Sequence, residues 1–456
     1  MLSDVHTLKI CIIGAGMGGL TCALALARAG FTDITVFEMA SNLGFVGAGI
    51  QMAPNMARIL DRLGVWDAIA KEAVVLTETS IRQGATDAEL GHVDLQYIRD
   101  AYGFPHTVGH RATLAGELYQ GCQRESDKIR FRFATTCDHV KFEPKPSFTA
   151  TPRGADAQPY EVQCDILLAA DGIKSNSRVA MLRELNVEAT VKDTGQAAYR
   201  IMLTREQMAT DPDLLALLDA DKVIRWIGEK RHIIAYPVSS KQIYNISTTQ
   251  PDVNFAAAPS ATYTTRGSKK AMLDVFGDFC PMIQRMLDLV PEGEVCEWKL
   301  RVHAPLTTWI RGSVALVGDA CHPTLPHLAQ GAAQAIEDAA VLAVVLSHLP
   351  SSPTPADINR MLRAYEKVRK ERAETLVELA AASGRALHLG EGPAKEERDK
   401  QFAALKQGKG PVPDKWADAD VQRMVYGFDC MKVAEELIEG EMNGVKGANG
   451  GEGERV

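Results

Sequence analysis

Charge of one sign is what this chain most lacks. Its 50 Lys and Arg are outnumbered by 58 Asp and Glu, a formal net charge of −8, so no basic surplus argues for nucleic acid. Long hydrophobic runs are missing too: stretches such as Ala339–Leu346 fall well short of the roughly 20 residues a membrane-spanning helix needs. The start, M-L-S-D-V-H-T-L-K-I, has no charged segment leading into an apolar one, so no secretory signal is read. The nine cysteines are odd in number and none forms a C-x-x-C pair, which fits scattered free thiols in a reducing compartment best. No H-E-x-x-H or other metal spacing, no readable Ser-His-Asp set and no internal repeat is found. The expectation is a cytoplasmic protein that binds no nucleic acid, membrane or metal. At 456 residues, with 46% hydrophobic and 24% charged, it has enough chain for two or three domains, or for one large fold carrying an insertion.

What is present begins with L-K-I-C-I-I-G-A-G-M-G-G-L-T-C-A-L-A-L-A-R-A-G, Leu8 to Gly30. An apolar strand enters Gly14, Ala15, Gly16, Met17, Gly18 and Gly19, and a helix follows. Gly14 permits a sharp turn, Gly16 lets backbone approach a pyrophosphate, and Gly19 lets helix and strand pack closely. The helix start offers free N–H groups and the positive end of its dipole to phosphates. A second strand, Asp33 to Phe37, ends at Glu38, where an acid binds a ribose hydroxyl. The pattern reads as a dinucleotide site; FAD and NAD both satisfy it.

Two further segments end strands in acids. C-D-I-L-L-A-A-D-G-I-K-S-N-S-R-V contains Asp171, Gly172 and Arg178; L-V-G-D-A-C-H-P-T-L-P-H-L-A-Q-G-A-A-Q-A contains Gly318, Asp319, Pro326, His327, Gln330, Gly331 and Ala332. With the first motif, these resemble the signature of class A flavin-dependent monooxygenases, the flavoprotein aromatic hydroxylases. G-A-G-I-Q-M-A-P-N, G-H-R-A-T-L, A-A-Y-R, H-I-I-A-Y-P and M-V-Y-G-F-D are similar to segments of the salicylate hydroxylase-like branch. The resemblance runs over about residues 7 to 435. It implies FAD as cofactor, with NAD(P)H visiting as a transient co-substrate; no second G-x-G-x-x-G marks a separate nicotinamide domain. It places Ala48, Gly49 and Arg111 on the FAD side and gives Asp319 a ribityl hydroxyl. Two positions depart from the pattern: Phe45 stands where an acid is usual, and A-Q-G-A-A (Ala329 to Ala333) replaces G-Q-G-A-N.

The fold expected is α/β, a Rossmann-like FAD-binding domain with an inserted antiparallel β-sheet substrate domain and C-terminal helices. The FAD-binding domain comprises 1–73, 106–180 and 304–350; the substrate sheet comprises 74–105 and 181–303, where short runs alternate apolar and polar. Helices follow over 351–440, then a glycine-rich tail, 441–456, expected to be disordered.

In the third motif, Asp319 reads as a ligand for the flavin side chain or as a helix cap. Pro326 brings rigid backbone to the ring. Ala329 to Ala332 are expected to start a helix whose N–H groups face the flavin's pyrimidine edge, where negative charge collects on reduction. His322 reads as a structural turn residue and Cys321 as a buried thiol. Arg200 is the candidate cation for a phenolate, against a surface pairing with Asp193 or Glu206. His232 and Tyr236, four apart on one strand face, are candidates for a base and a substrate donor, and His327 for substrate contact.

The resemblance implies an enzyme that inserts one atom of O2 into an electron-rich aromatic ring through a flavin hydroperoxide, with a phenolic or benzoate-like substrate. Two alternatives stand beside it: a tailoring monooxygenase that epoxidises or dearomatises an indole or polyketide, and a non-catalytic FAD-binding redox-responsive protein. Monomer and homodimer are both expected states.

Overall fold

The computed structural model describes residues 5–44, 48–154, 157–188, 191–253, 264–405, 412–416 and 418–449. Its first layer is a six-stranded sheet. Strand β1 (Lys9–Ile13) runs through Gly14 and Gly16 into helix α1 (Met17–Arg28), and β2 (Asp33–Phe37) returns parallel to β1. The other flank of β1 pairs in parallel with Ile166–Ala169, which pairs with Val314–Leu316; Ile129–Arg132 lies beyond β2. These strands are apolar on both faces because α1 covers one side and a small sheet of Thr135–Lys141, Ser147–Pro152 and Tyr160–Gln163 lies over the other, with Phe37 edge-on to Phe148. The carboxyl ends of three of the strands deliver Gly14, Asp171 and Gly318 to one edge of the sheet. That edge is where open α/β sheets hold ligands.

The second layer is an eight-stranded sheet built around β3 (Val191–Thr204), β4 (Lys222–Gly228), β5 (Arg231–Val238), β6 (Ile243–Pro251) and β7 (Cys296–His303), in the order β7-β3-β6-β5-β4. All of these pair antiparallel, as the alternating pattern predicts. One seam differs: β4 pairs in parallel with Glu78–Gln83, a partner that the local pattern cannot reveal. Tyr199, Trp226, Tyr244 and Ile246 pack this sheet against helices of residues 205–219 and 269–288. Gly49–Met52, Thr107–His110 and Val74–Val75 form a three-stranded sheet of their own.

Helix α2 (Gly331–Ser347) is built of small and aliphatic residues and is buried along most of its length, packed on α1. Helix α3 (Pro355–Leu387) starts at a capping box, Thr354 with Asp357, and crosses both α2 and the end of β5. The tail departs from expectation. The last helix runs Cys430–Asn449, past the boundary at 441 where disorder was expected; residues 450–456 lie outside the described set. Cys430, Ala434 and Ile438, spaced by four, bury one stripe against the core and anchor this helix despite its glycines. No described helix is long and apolar enough to cross a membrane.

Candidate functional site

The glycine turn is tied to both neighbouring strands. Gly14 has φ +98°, its N–H donates to the Phe37 carbonyl at 2.8 Å, and a Cβ here would stand 2.3 Å from the Ala170 carbonyl oxygen. A Cβ on Gly19 would meet the Gly14 carbonyl at 1.9 Å, and one on Gly18 would press on Ala335 of α2 at 3.3 Å. Gly16 differs: no atom lies within 4 Å of the Cβ position, and the buried Met17 begins the helix behind it. Gly14 and Gly19 are therefore demanded by packing, Gly18 sits close against α2, and Gly16 opens an approach to the α1 N-terminus. Glu38 accepts from the N–H groups of Ala15 at 2.7 Å and Ala40 at 2.8 Å. A carboxylate has further lone pairs, so hydroxyls can still bind it.

Asp171 follows the strand Ile166–Ala169. One of its oxygens accepts from Ser177 N–H at 3.1 Å, while Oδ1 is enclosed with no partner. Gly172, at φ +74°, has open space where a Cβ would be. Arg178 is buried beside these two residues. Its guanidinium donates to the carbonyls of Ala320 at 3.2 Å and Ile173 at 2.7 Å, and so ties the second motif to the third.

Behind the third motif lies a buried charge network absent from the sequence reading. His322 bonds Asp338 at 2.6 Å, and Asp338 also accepts from Gly318 N–H at 2.9 Å. Arg369 of α3 donates to Asp338 at 2.9 Å and to Glu337 at 2.5 Å, and Arg372 adds a second guanidinium on Glu337. These cations outweigh burial and hold both carboxyls below their usual range. Asn55 donates to Glu337 at 2.7 Å and to Gln330 at 3.0 Å, so the Gln330 side chain faces this network while its backbone stands at the α2 start. A signal was available: two adjacent acids in an otherwise apolar helix require buried cations. The helix itself begins later than expected. Ala329 has φ +53° and ends a short 3-10 turn of Pro326–Leu328, so α2 starts at Gly331 with Ala332 in its first turn. Cys321 is buried, its thiol donating to the Gly318 carbonyl at 3.4 Å.

The other wall comes from the large sheet. Ala48 accepts from Arg111 N–H at 2.8 Å, and Gly49 N–H donates to Asn245 Oδ1 at 2.6 Å. A Cβ on Gly49 would collide with Asn245 at 2.4 Å and the Tyr236 ring at 2.7 Å, so only glycine allows this sheet to close on the loop. Phe45 lies outside the described residues. Asp319 and Arg111 both expose surface to the space between the walls, yet protein crowds them on other sides. That crowding raises the Asp319 carboxyl, with His322 and Arg111 pulling the other way, and lowers the Arg111 guanidinium.

Arg200, at the centre of β3, lies 4.9 Å over the Trp298 ring and has no ion pair or hydrogen bond among the described residues. Asp193, one of the acids that a surface placement would offer it, is paired with Arg301 instead. Burial, and then Arg111, lower its pKa, while Tyr236 and Cys296 act against them. Burial raises the Tyr236 phenol, and Arg200 moderates that. Arg200, Arg111, Tyr236 and Asn245 thus converge beside Gly49.

His232 shares a strand face with Tyr236 but works at the other end, roughly 13 Å along the strand. Its Nδ1 bonds His388 Nε2 at 2.6 Å. His327 was expected to face a substrate; its ring is instead enclosed against α3, so tightly that a Cβ on Gly384 would touch it at 2.6 Å, and both ring nitrogens lack partners. Arg225 donates to the His327 carbonyl at 3.3 Å and to Asp414 at 3.1 Å. Asn245, His388 and the Arg369 clamp are the residues that the sequence reading missed.

This geometry suits a dinucleotide: an unobstructed Gly16 at a helix N-terminus, an orphaned Asp171 oxygen, and an acid at the end of β2. Comparison with known proteins agrees. The family described as FAD binding domain matches residues 7–380. An FAD-dependent monooxygenase of Arthrinium sp is 31% identical, covering 94% of this chain and 96% of its own. The 3-hydroxybenzoate 6-hydroxylase 1 of Aquipseudomonas alcaligenes is 33% identical over 74% of this chain and 80% of its own. A solved salicylate hydroxylase substrate complex matches at TM-score 0.75 and 22% identity, covering 94% of this chain and 97% of that one, a likeness of fold.

Proposed function

The chain belongs to the FAD binding domain family and is an FAD-dependent monooxygenase, and from that premise we propose that it hydroxylates a phenolic or benzoate-like ring at the expense of NAD(P)H. The observation that carries this reading is Arg200: a largely enclosed cation, stacked on Trp298 and without a counter-ion among the described residues, beside a second guanidinium, Arg111. Such a site favours an anionic oxygen, as a phenolate or a ring carboxylate provides.

Bound FAD supplies the activation of O2 and the oxygen transfer. The chain's own residues do the rest. The α1 N-terminus at Gly16–Gly19 takes the pyrophosphate and Glu38 the ribose. Asp171 and Asp319 take hydroxyls along the chain between ring and phosphate, and Arg178 keeps their loops in register. Gly331 and Ala332, in the first turn of α2, would offer N–H groups to the FAD ring. Ala48, Gly49 and Pro326 bring backbone close enough to exclude water from the reacting face. Arg200 holds the substrate's oxygen as phenolate, which makes the ring carbon more electron-rich. Tyr236 donates to the oxygen that Arg200 holds.

The test is aerobic oxidation of NADH and NADPH by the FAD-loaded protein with 3-hydroxybenzoate, salicylate, 3-amino-4-hydroxybenzoate, resorcinol and indole. The expected result is cofactor consumption matched by a product one oxygen heavier for at least one phenol. Coupling with indole alone would favour the tailoring reading. No acceleration and no product with any compound would overturn hydroxylation.

A further inference from the structure

The sheet face that carries Arg200 has an accessible row across its middle. Backbone register pairs Cys296 of β7 with Arg200 of β3, Arg200 with Ser247 of β6, and Ser247 with Ile234 of β5. Side chains paired in this way stand on one face of the sheet. Asn245 and Tyr236, two positions along β6 and β5, share that face and close on Gly49, so the row opens to the same space as the Gly49 loop.

Cys296, Arg200, Ser247 and Ile234 are all half-buried, and Trp298 and Met202 beside them are too. The flanks are closed. Ala198, Thr249 and His232 are buried on one side of the row, Asn245 and Tyr236 on the other. A line of accessible positions between buried flanks, at the centre of a sheet, is the floor of a cavity.

Ser247 is the unexpected residue on this floor. The middle of a central strand favours branched and aromatic side chains, and serine is neither. Its hydroxyl makes no hydrogen bond among the described residues. Arg200 does not use it either: its guanidinium lies over Trp298 of β7, while Ser247 is on β6, the opposite neighbour of β3. Guanidinium and hydroxyl are therefore two separate donors. Side chains paired across neighbouring strands start about 4.5 to 5.5 Å apart, a spacing that suits two oxygen atoms on one aromatic ring. A half-enclosed hydroxyl gains most from an acceptor that the ligand itself brings.

We propose that Ser247 is a specificity-determining residue, whose hydroxyl donates to a second oxygen group on the ring that Arg200 and Tyr236 hold by its phenolate. The substrate class is then an aromatic ring with two oxygen groups, a hydroxybenzoate or a dihydroxybenzene, and not a simple phenol. Ile234, across from Ser247 on β5, gives the ring an apolar floor. This inference deepens the phenol reading given above and rests on it.

The test compares FAD-loaded wild type, Ser247→Thr and Ser247→Val. Thr and Val share one branched shape and only Thr keeps the hydroxyl, so the difference between them reads the hydroxyl. Binding of salicylate, 3-hydroxybenzoate, resorcinol and phenol is followed through the flavin absorbance without NAD(P)H, and product formation is followed with it. For the two-oxygen compound that the wild type binds best, Kd of the Val variant should exceed that of the Thr variant about tenfold or more. With phenol the two variants should agree within about twofold. Should the branched pair fail to retain FAD, Ser247→Ala against the wild type carries the same comparison. Equal Kd of Thr and Val variants for every two-oxygen compound would overturn the assignment, and so would an equal loss with phenol, which marks a structural role. A wild type that binds phenol as tightly as the two-oxygen compounds would overturn it as well. The expected binding pattern without any product one oxygen heavier would overturn hydroxylation and leave Ser247 as a ligand donor; a wild type that binds none of the four compounds would overturn the phenol reading and this inference with it.

Discussion

A single backbone angle records where this chain departs from its family's pattern. Ala329 occupies the first position of the A-Q-G-A-A segment at φ +53°, where an L residue costs about 1 to 2 kcal/mol. Glycine removes that strain but loses about 0.5 to 1 kcal/mol more backbone entropy on folding. The balance favours Ala329→Gly by about 0.5 kcal/mol, expected as a small rise in urea midpoint with FAD affinity unchanged. A lower midpoint would mean that the methyl contributes packing that outweighs the strain. At Arg200 the argument is electrostatic. Replacing an enclosed guanidinium that has no ion pair among the described residues by Gln removes a charge-assisted bond to the substrate oxygen, about 1.5 to 3 kcal/mol. Arg200→Gln should therefore lower kcat/KM about tenfold to a hundredfold while the flavin content stays that of the wild type. An unchanged kcat/KM would remove Arg200 from the site.

Helix α3 determines how firmly the third motif is held. Arg369 is fully buried and binds Glu337 and Asp338, which in turn hold Asn55, His322 and Gly318 N–H. Arg369→Met leaves two buried carboxylates under-compensated, a loss of about 3 to 5 kcal/mol in unfolding free energy. FAD affinity should fall with it because Gly318 and Asp319 lose their support; urea unfolding and fluorescence titration with FAD check the two effects separately. A stable variant with weakened FAD binding would make the clamp local to the loop. This element also shows what one sequence can and cannot disclose. The glycine turn was legible because each constraint is met within a strand and a helix of neighbours: Gly14 against Phe37, Gly19 against Gly14. Arg200 was singled out through the A-A-Y-R resemblance, and Tyr236 through its spacing of four from His232 on one strand. Arg369 and His388 were not, since their partners lie on elements that periodicity does not connect. The register of α3 against α2 and β5 decides those contacts, and local pattern carries no trace of it. The enclosure of His327 was illegible for the same reason: its neighbourhood is set by Gly384, where the absent side chain admits the ring.

The molecule as a whole encloses several uncharged histidines, and this gives it a specific acid sensitivity. Burial lowers His106 and His327 to about 3 and His388 to about 4, and His232 well below its ordinary value. In the unfolded chain each returns to about 6.5. Folded pKa values below unfolded ones mean that the unfolded state binds more protons between them. The stabilisation is complete above pH 6.5 and drains as pH falls from there towards 4. Each ring contributes a loss of about 1 kcal/mol between pH 6 and pH 5. The buried acids Glu337 and Asp338, held low by their arginines, add to acid unfolding only as pH falls through the ordinary carboxylate range, about 4, and below it. The urea midpoint at saturating FAD should therefore be flat from pH 7 to 8 and decline steeply from pH 6 to 5, well before carboxylates titrate. His106→Phe isolates the effect away from the substrate end, because His106 has one ring nitrogen enclosed without a partner and a single 3.2 Å contact to Gln51. That variant should lose part of the slope between pH 6 and 5 while keeping its hydroxylation kinetics. A slope identical to that of the wild type would place the acid sensitivity in other groups than the buried imidazoles.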